Sequence, residues 1–194
     1  MTELFGQYLI DLYKSAPQEV YEGLLSVFCF GAVGIIAFRG FRKGWRYLAG
    51  LLMTEYIVLL YCSMVIFRPY SEDAGYDFTP FWSYEAIENG RPELLAENVM
   101  NVIVFIPVGM MLGLDTQNKA PSGWRTRIAR IALIIGAGLI ISISIEAMQY
   151  FFHRGFAETD DVMHNTVGCM IGYGICRLFQ VSCSKSQANT NCTD

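Results

Sequence analysis

Residues 128–151 read IARIALIIGAGLIISISIEAMQYF. After Arg130 no charge appears until Glu146, and the apolar side chains between them cover every face of a helix. As a helix this run rises about 1.5 Å per residue, enough to cross the roughly 30 Å hydrocarbon core of a bilayer. A helix half-buried in a soluble protein keeps a polar stripe along its whole length. Here the polar residues Ser142, Ser144, Glu146 and Gln149 crowd toward one end. The stretch therefore reads as a membrane span whose last turns are polar.

Four more apolar blocks flank it, at about 20–38, 45–67, 98–114 and 162–179. Lipid offers no hydrogen-bond partner, so each block must be helical to satisfy its own backbone. The block 98–114 is short and contains Pro107, which predicts a kink. A helical hairpin entering and leaving on one side is the alternative there. The expected fold is all-α, a polytopic membrane bundle of about five transmembrane helices. Composition agrees: 53% of residues are apolar and 16% charged, against about a quarter charged in soluble domains. No basic run suggests nucleic acid. Cys29, Cys62, Cys169 and Cys176 fall inside apolar blocks, Cys183 and Cys192 lie in the tail, and their spacing matches no zinc or disulfide pattern.

Lys and Arg set the expected orientation. Arg39, Arg42, Lys43, Arg46, Lys119, Arg125, Arg127, Arg130, Arg177 and Lys185 fall on one side of the alternating spans, ten of the fourteen cations. Only Lys14, Arg68, Arg91 and Arg154 fall on the other. The first side is expected to be cytoplasmic, which puts the N-terminus outside and the C-terminus inside the cell membrane. The outer segments are acidic, which is either what topology leaves behind once cations stay inside or a feature that favours a cationic partner there. Residues 1–19 read as an extracytoplasmic surface segment rather than a signal peptide, with Phe5, Tyr8, Leu9 and Leu12 on one helical face. Residues 20–180 form the membrane domain, and 181–194 read as a polar, disordered cytoplasmic tail. In the long outer loop, Thr79-Pro80 has the form of a helix start. Phe81, Trp82, Tyr84 and Ile87 then predict an interfacial or re-entrant helix beside the lipid.

Polar residues inside spans are costly and tend to be functional. Here they form helical stripes. Asn98, Asn101 and Phe105 share a face of one span; Ser142, Glu146, Gln149 and His153 share a face of the next; Asp161, Asn165, Gly168 and Gly172 share a face of the last. Alternating topology brings all three stripes to the outer end at one depth, with Arg68 and Arg154 nearby. Such groups can act as interhelical glue, but a carboxylate, amides and arginines at matched depth point to a site. Glu55 stands apart, near mid-span. The pairs Gly109–Gly113 and Gly168–Gly172 predict close helix contact. Asp160, Asp161 and His164 match no strong metal spacing, so neither a metal nor another cofactor is expected.

The same residues carry a resemblance. NVIVFIPVG (101–109), SIEAMQ (144–149) and RGFAETDDVMHNTVG (154–168) resemble the stretches N-x-x-x-F-x-P-x-G, S-x-E-x-x-Q and Arg-to-N-T-x-G of the VanZ-like family of bacterial membrane proteins. Arg68 and DFTPF (77–81) resemble a fourth stretch, with Asp77 standing where Asn is usual. The motif core spans 68–174. The resemblance implies a role in lowering susceptibility to lipoglycopeptide antibiotics such as teicoplanin. On the binding reading, Arg68, Asn101, Glu146, Gln149, Arg154, Asp160, Asp161 and Asn165 would hold the antibiotic or a lipid-linked cell-wall precursor, with Phe81, Trp82 and Tyr84 flanking its lipid. On the enzyme reading, Glu146 would act as general acid or base, assisted by Asp160 and Asp161. A homo-oligomer is a further open partner.

Overall fold

The computed structural model describes residues 18–72, 75–115 and 123–190; the surface segment expected before residue 18 lies outside them. Among the described residues five helices follow one another: α1 (Gln18–Tyr61), continued by a π turn (Cys62–Ile66), the short α2 (Trp82–Glu88), α3 (Glu93–Asp115), α4 (Trp124–Phe151) and α5 (Thr159–Thr190). The architecture is an all-α membrane helix bundle. Tyr47–Ile66, Glu93–Leu114 and Trp124–Phe151 are long and apolar enough to cross a membrane, and Glu22–Gly34 is a shorter apolar helix. The expected span 162–179 is long but misses that mark because its own polar stripe dilutes it.

The expected spans 20–38 and 45–67 both fall in α1. A Cβ on Gly31 would lie 2.8 Å from Leu51 Cδ2. Twenty residues of straight helix would hold these positions about 30 Å apart. The chain therefore doubles back between them, and α1 has two packed arms. Pro107 sits inside an unbroken α3, so that block is a single helix and not a hairpin. The stretch from 181, expected as a disordered tail, continues α5 as helix to Thr190; no Gly or Pro follows Gly174 to end it.

Glycine explains the tightest contact. A Cβ on Gly168 would run into the Val102 carbonyl, one on Gly172 into the Ile106 carbonyl, and one on Gly109 into the Cys169 carbonyl. Gly168 with Val102, Gly172 with Ile106 and Cys176 with Gly113 rise together in sequence, so α3 and α5 run parallel with their backbones touching. α4 runs antiparallel to α5, with Ser142 against Asn165 and Gly138 against Cys169. The second arm of α1 runs antiparallel to α3, where the Tyr56 hydroxyl donates to the Val104 carbonyl at 2.6 Å. That arm is parallel to α4, where Tyr61 hydrogen-bonds Ser144. Leu60, Met64, Val65, Phe105, Val108, Ile134, Ile145 and Cys169 fill the centre. Phe30, Leu133, Ile140 and Phe151 point outward, onto faces that lipid would cover. This order brings the end of α1, the start of α3, the end of α4 and the start of α5 to one end of the bundle.

A two-stranded parallel pairing closes that end. β1 (Tyr76–Asp77) lies against β2 (Ala157–Glu158), with Tyr76 opposite Ala157 and Asp77 opposite Glu158. Ala157 N–H donates to the Gly75 carbonyl at 3.0 Å and Ser71 N–H to the His153 carbonyl at 2.8 Å. The two loops at this end are thus tied to each other over the helix ends.

Candidate functional site at the polar end

α4 ends in a Schellman turn. His153 N–H donates to the Tyr150 carbonyl at 3.2 Å and Arg154 N–H to the Gln149 carbonyl at 2.8 Å, with His153 left-handed at φ 53°. The turn carries His153 off the stripe it was expected to share with Glu146. It is exposed, 5.7 Å from the Tyr70 ring. Gly155 follows at φ 155°, and a Cβ there would sit 2.9 Å from an Arg68 nitrogen. Both its conformation and its neighbour call for glycine.

The π turn exposes carbonyls that two predicted site residues take up. Gln149 Nε2 donates to the Met64 carbonyl at 2.9 Å. A single Arg154 nitrogen donates to the Ile66 carbonyl at 2.6 Å and the Arg68 carbonyl at 2.7 Å. Arg154 thereby clamps the end of α1. Arg68 pairs with Glu97 at 3.8 Å, and both are half-buried.

Glu146 is buried, with 5% of its surface exposed. One carboxylate oxygen accepts the Glu158 N–H at 3.1 Å, and the other is buried without a partner. Among the described residues the hydrogen bond to Glu146 comes from this backbone donor, and no arginine forms an ion pair with it. The β pairing holds Glu158 N–H in place, while Arg68 acts on Glu146 and Asp161 only through its charge.

Asp160 caps α2 from a distance. Its Oδ1 accepts the Phe81 N–H at 2.6 Å; its Oδ2 accepts the Ser83 N–H at 3.0 Å and the Ser83 hydroxyl at 2.5 Å. Asn98 Nδ2 donates to the same hydroxyl at 3.0 Å. The helix start expected at Thr79-Pro80 therefore falls two residues later. Thr79 N–H is drawn back to Asp77 Oδ1 at 2.8 Å, and Phe81 turns left-handed at φ 66° to lead into α2. That Asx turn needs only a side-chain oxygen at position 77, which Asp and Asn both supply. Phe81 and Tyr84 are exposed, and the Tyr84 hydroxyl hydrogen-bonds His164 Nε2 at 2.8 Å. The Arg91 guanidinium lies 6.0 Å over the Trp82 ring.

The three stripes do meet. Asn165 Nδ2 donates to Ser142 Oγ at 2.8 Å. Asn101, fully buried, lies beside the buried Asp161, although its amide nitrogen makes no well-formed hydrogen bond. Gln149 Oε1 and Asn165 Oδ1 are also buried without partners. Among the described residues no three His, Cys, Asp or Glu side chains are arranged to hold a metal ion.

Beside this network lies a cleft of about 510 Å³, walled by Tyr76, Phe78, Ile143, Ala147, Tyr150, Phe151, Ala157 and Val162, with Thr159 and the carboxyl-bearing Glu146 and Glu158. That volume suits a small amphiphile. Burial, and next the Asp161 charge, push the Glu158 carboxyl up to about 8. Glu97, Ser83 and Glu158 were not singled out in the sequence. Glu97 extends the Asn101–Phe105 stripe by one turn and was legible there. Glu158 acts through its backbone, for which a sequence offers no signal.

No solved structure matches the chain. Protein VanZ of Enterococcus faecium is 33% identical over 82 residues, which cover 41% of this chain and 45% of that protein. The match thus spans less than half of the relative's length. The family model described as VanZ/LLP1 matches residues 53–180. That stretch is more than half of the chain and contains the π turn, the paired loops and every buried polar residue of the site; the chain belongs to the VanZ/LLP1 family.

Proposed function

We propose that this protein lowers susceptibility to lipoglycopeptide antibiotics of the teicoplanin type by binding the antibiotic, or a lipid-linked cell-wall precursor, at the polar end of its bundle. In this reading the polar end faces outward, with the N-terminus outside and the C-terminus inside the cell membrane. The observation that carries it is the apolar cleft with buried Glu146 in its wall, at the end where the polar helix stripes converge. An aromatic and aliphatic wall suits a lipid arm, and unsatisfied amide and carboxyl oxygens suit a hydrogen-bonding head. The resemblance supplies the class of drug.

The test is expression in a susceptible Gram-positive host. Wild type should raise the inhibitory concentration of teicoplanin more than that of vancomycin, and Glu146→Gln at equal membrane abundance should lose the effect. Equal protection by Glu146→Gln would sink the site. The enzyme alternative, in which Glu146 acts with Asp160 and Asp161, is less well supported because both Asp160 oxygens are held by α2. Turnover of a lipid-linked precursor that vanishes in Glu146→Ala would favour it.

A further inference from the structure

Charge at the polar end does not balance. Five carboxyl groups, Glu97, Glu146, Glu158, Asp160 and Asp161, gather at this end, and the Arg68 guanidinium acts on three of them, Glu97, Glu146 and Asp161. Arg68 is paired with Glu97. Asp160 is satisfied by three donors from Phe81 and Ser83. Arg154 is occupied by two carbonyls. Glu146, Glu158 and Asp161 make no ion pair among the described residues. Glu146 adds a second observation: it is about nineteen-twentieths buried, and one of its oxygens has no partner. Such an oxygen is costly unless something donates to it.

Two of these unpaired carboxyls, Glu146 and Glu158, belong to the cleft wall, whose remaining surface is almost wholly apolar. An anionic head would find no cation there to pair with, and each carboxyl group that ionised would repel it. A bare cation would leave the aromatic wall unused. We propose that the cleft takes an ammonium-bearing amphiphile from the bilayer. Its ammonium sits between the Glu146 and Glu158 carboxyl groups, and its apolar arm lies along Phe78, Tyr150 and Phe151. As the ammonium enters, the orphan Glu146 oxygen turns to accept from it, and the cation lets the two carboxyl groups ionise. Exposed Phe78 and Phe151 mark the side from which the arm enters. This inference rests on the reading of the cleft as a binding site and names the chemistry of its ligand.

The test uses the purified full-length protein in maltoside micelles, titrated with dodecylamine, dodecanol and laurate while its melting is followed. Dodecylamine should raise the melting temperature saturably, and more than either comparator. Glu146→Gln keeps a side-chain oxygen for the Glu158 N–H, so it should fold. It should weaken dodecylamine about tenfold or more, the scale of one charged hydrogen bond, without altering the response to dodecanol. Glu158→Gln should act in the same direction. Lipid extracted with the wild-type protein should be enriched in amine-reactive species over the surrounding membrane, and Glu146→Gln should lose that enrichment. Stronger stabilisation by laurate, unchanged dodecylamine binding in both variants, or no enrichment of amine lipid would overturn the proposal. Should Glu146→Gln abolish drug protection while dodecylamine fails to bind, the binding site stands and this ligand does not.

Discussion

α3 and α5 meet twice, under opposite rules. Along the seam from Val102 to Gly109, glycines bring backbone against backbone, and a Cβ would run into a carbonyl. One turn above, where Asn101 approaches Asp161, the same two helices carry buried polar groups whose capacity is not used up. The seam is a packing solution: small residues let van der Waals contact act over the whole length, which is what lipid-embedded helices rely on. The polar end is a poor packing solution. Asn101 Nδ2, Glu146 Oε1, Gln149 Oε1 and Asn165 Oδ1 are all buried and unmatched, and each such group costs about 1–3 kcal/mol. Stability alone would replace them with apolar side chains. Their presence one turn from a tightly fitted seam supports the proposed site, which that neighbour would hold rigid.

The largest effects should come from the seam. Gly172→Ala places a methyl against the Ile106 carbonyl, and Gly168→Ala places one against the Val102 carbonyl. Each should cost about 1–3 kcal/mol as the helices part. Membrane yield and melting in detergent report this, with the double variant failing to accumulate. A wild-type melting point for Gly172→Ala would show that the close approach is not what holds α3 to α5.

The next effect separates packing from chemistry within the polar end. Asp160→Ala strips the acceptor from two backbone N–H groups and a hydroxyl, so α2 should lose about 1–3 kcal/mol of local stability. Faster hydrogen exchange across Trp82–Glu88 is the readout. Asp160→Asn keeps one acceptor oxygen and should fall between. Complete loss of drug protection in Asp160→Asn with unchanged exchange in α2 would mean that the carboxylate acts on the ligand rather than on the helix.

A smaller effect lies in pH. Glu158 titrates near 8 in the folded protein, against an ordinary value of 4.5, through burial first and then the charges of Asp161 and Glu97, with the Trp82 indole opposing. Between those values the folded state keeps a proton that the unfolded chain has lost. The contribution to stability is whole below the lower value and is lost as pH rises through the upper one. Melting temperature should therefore decline from pH 5 to pH 9, and Glu158→Gln should flatten that decline. A slope that survives in Glu158→Gln would assign it to another group.

The contrast also explains what the sequence made legible. Apolar length revealed the bundle, and periodicity revealed the seam glycines and the faces of Asn101, Glu146 and Asn165, because both signals are written within a single helix. What escaped was the choice of partner across long separations. Asp160 serves the start of α2, Arg154 serves the end of α1, and β1 finds β2. None of these leaves a repeat in the chain. His153 was misread for a local reason: helical spacing was extended two residues past Phe151, where a left-handed turn ends the helix.

The smallest expected effect tests the loop that joins the two regions. Asp77 stands where the family resemblance favours Asn, and its charge adds one more acid beside Glu158, its neighbour across the paired strands. The structural demand at position 77 is a single acceptor for Thr79 N–H, 2.8 Å away. Asparagine Oδ1 meets that demand, so Asp77→Asn should change stability by no more than about 0.5 kcal/mol. Removing the charge should slightly ease deprotonation of Glu158 and shift the decline in stability to lower pH. Asp77→Ala removes the acceptor and frees the turn, loosening the lead into Phe81 and therefore into α2. The two variants together decide what the position does: equal melting of wild type and Asp77→Asn with a lower value for Asp77→Ala identifies a turn residue. A loss in Asp77→Asn as large as in Asp77→Ala would make the charge itself part of the site and give the ammonium a further carboxylate to meet.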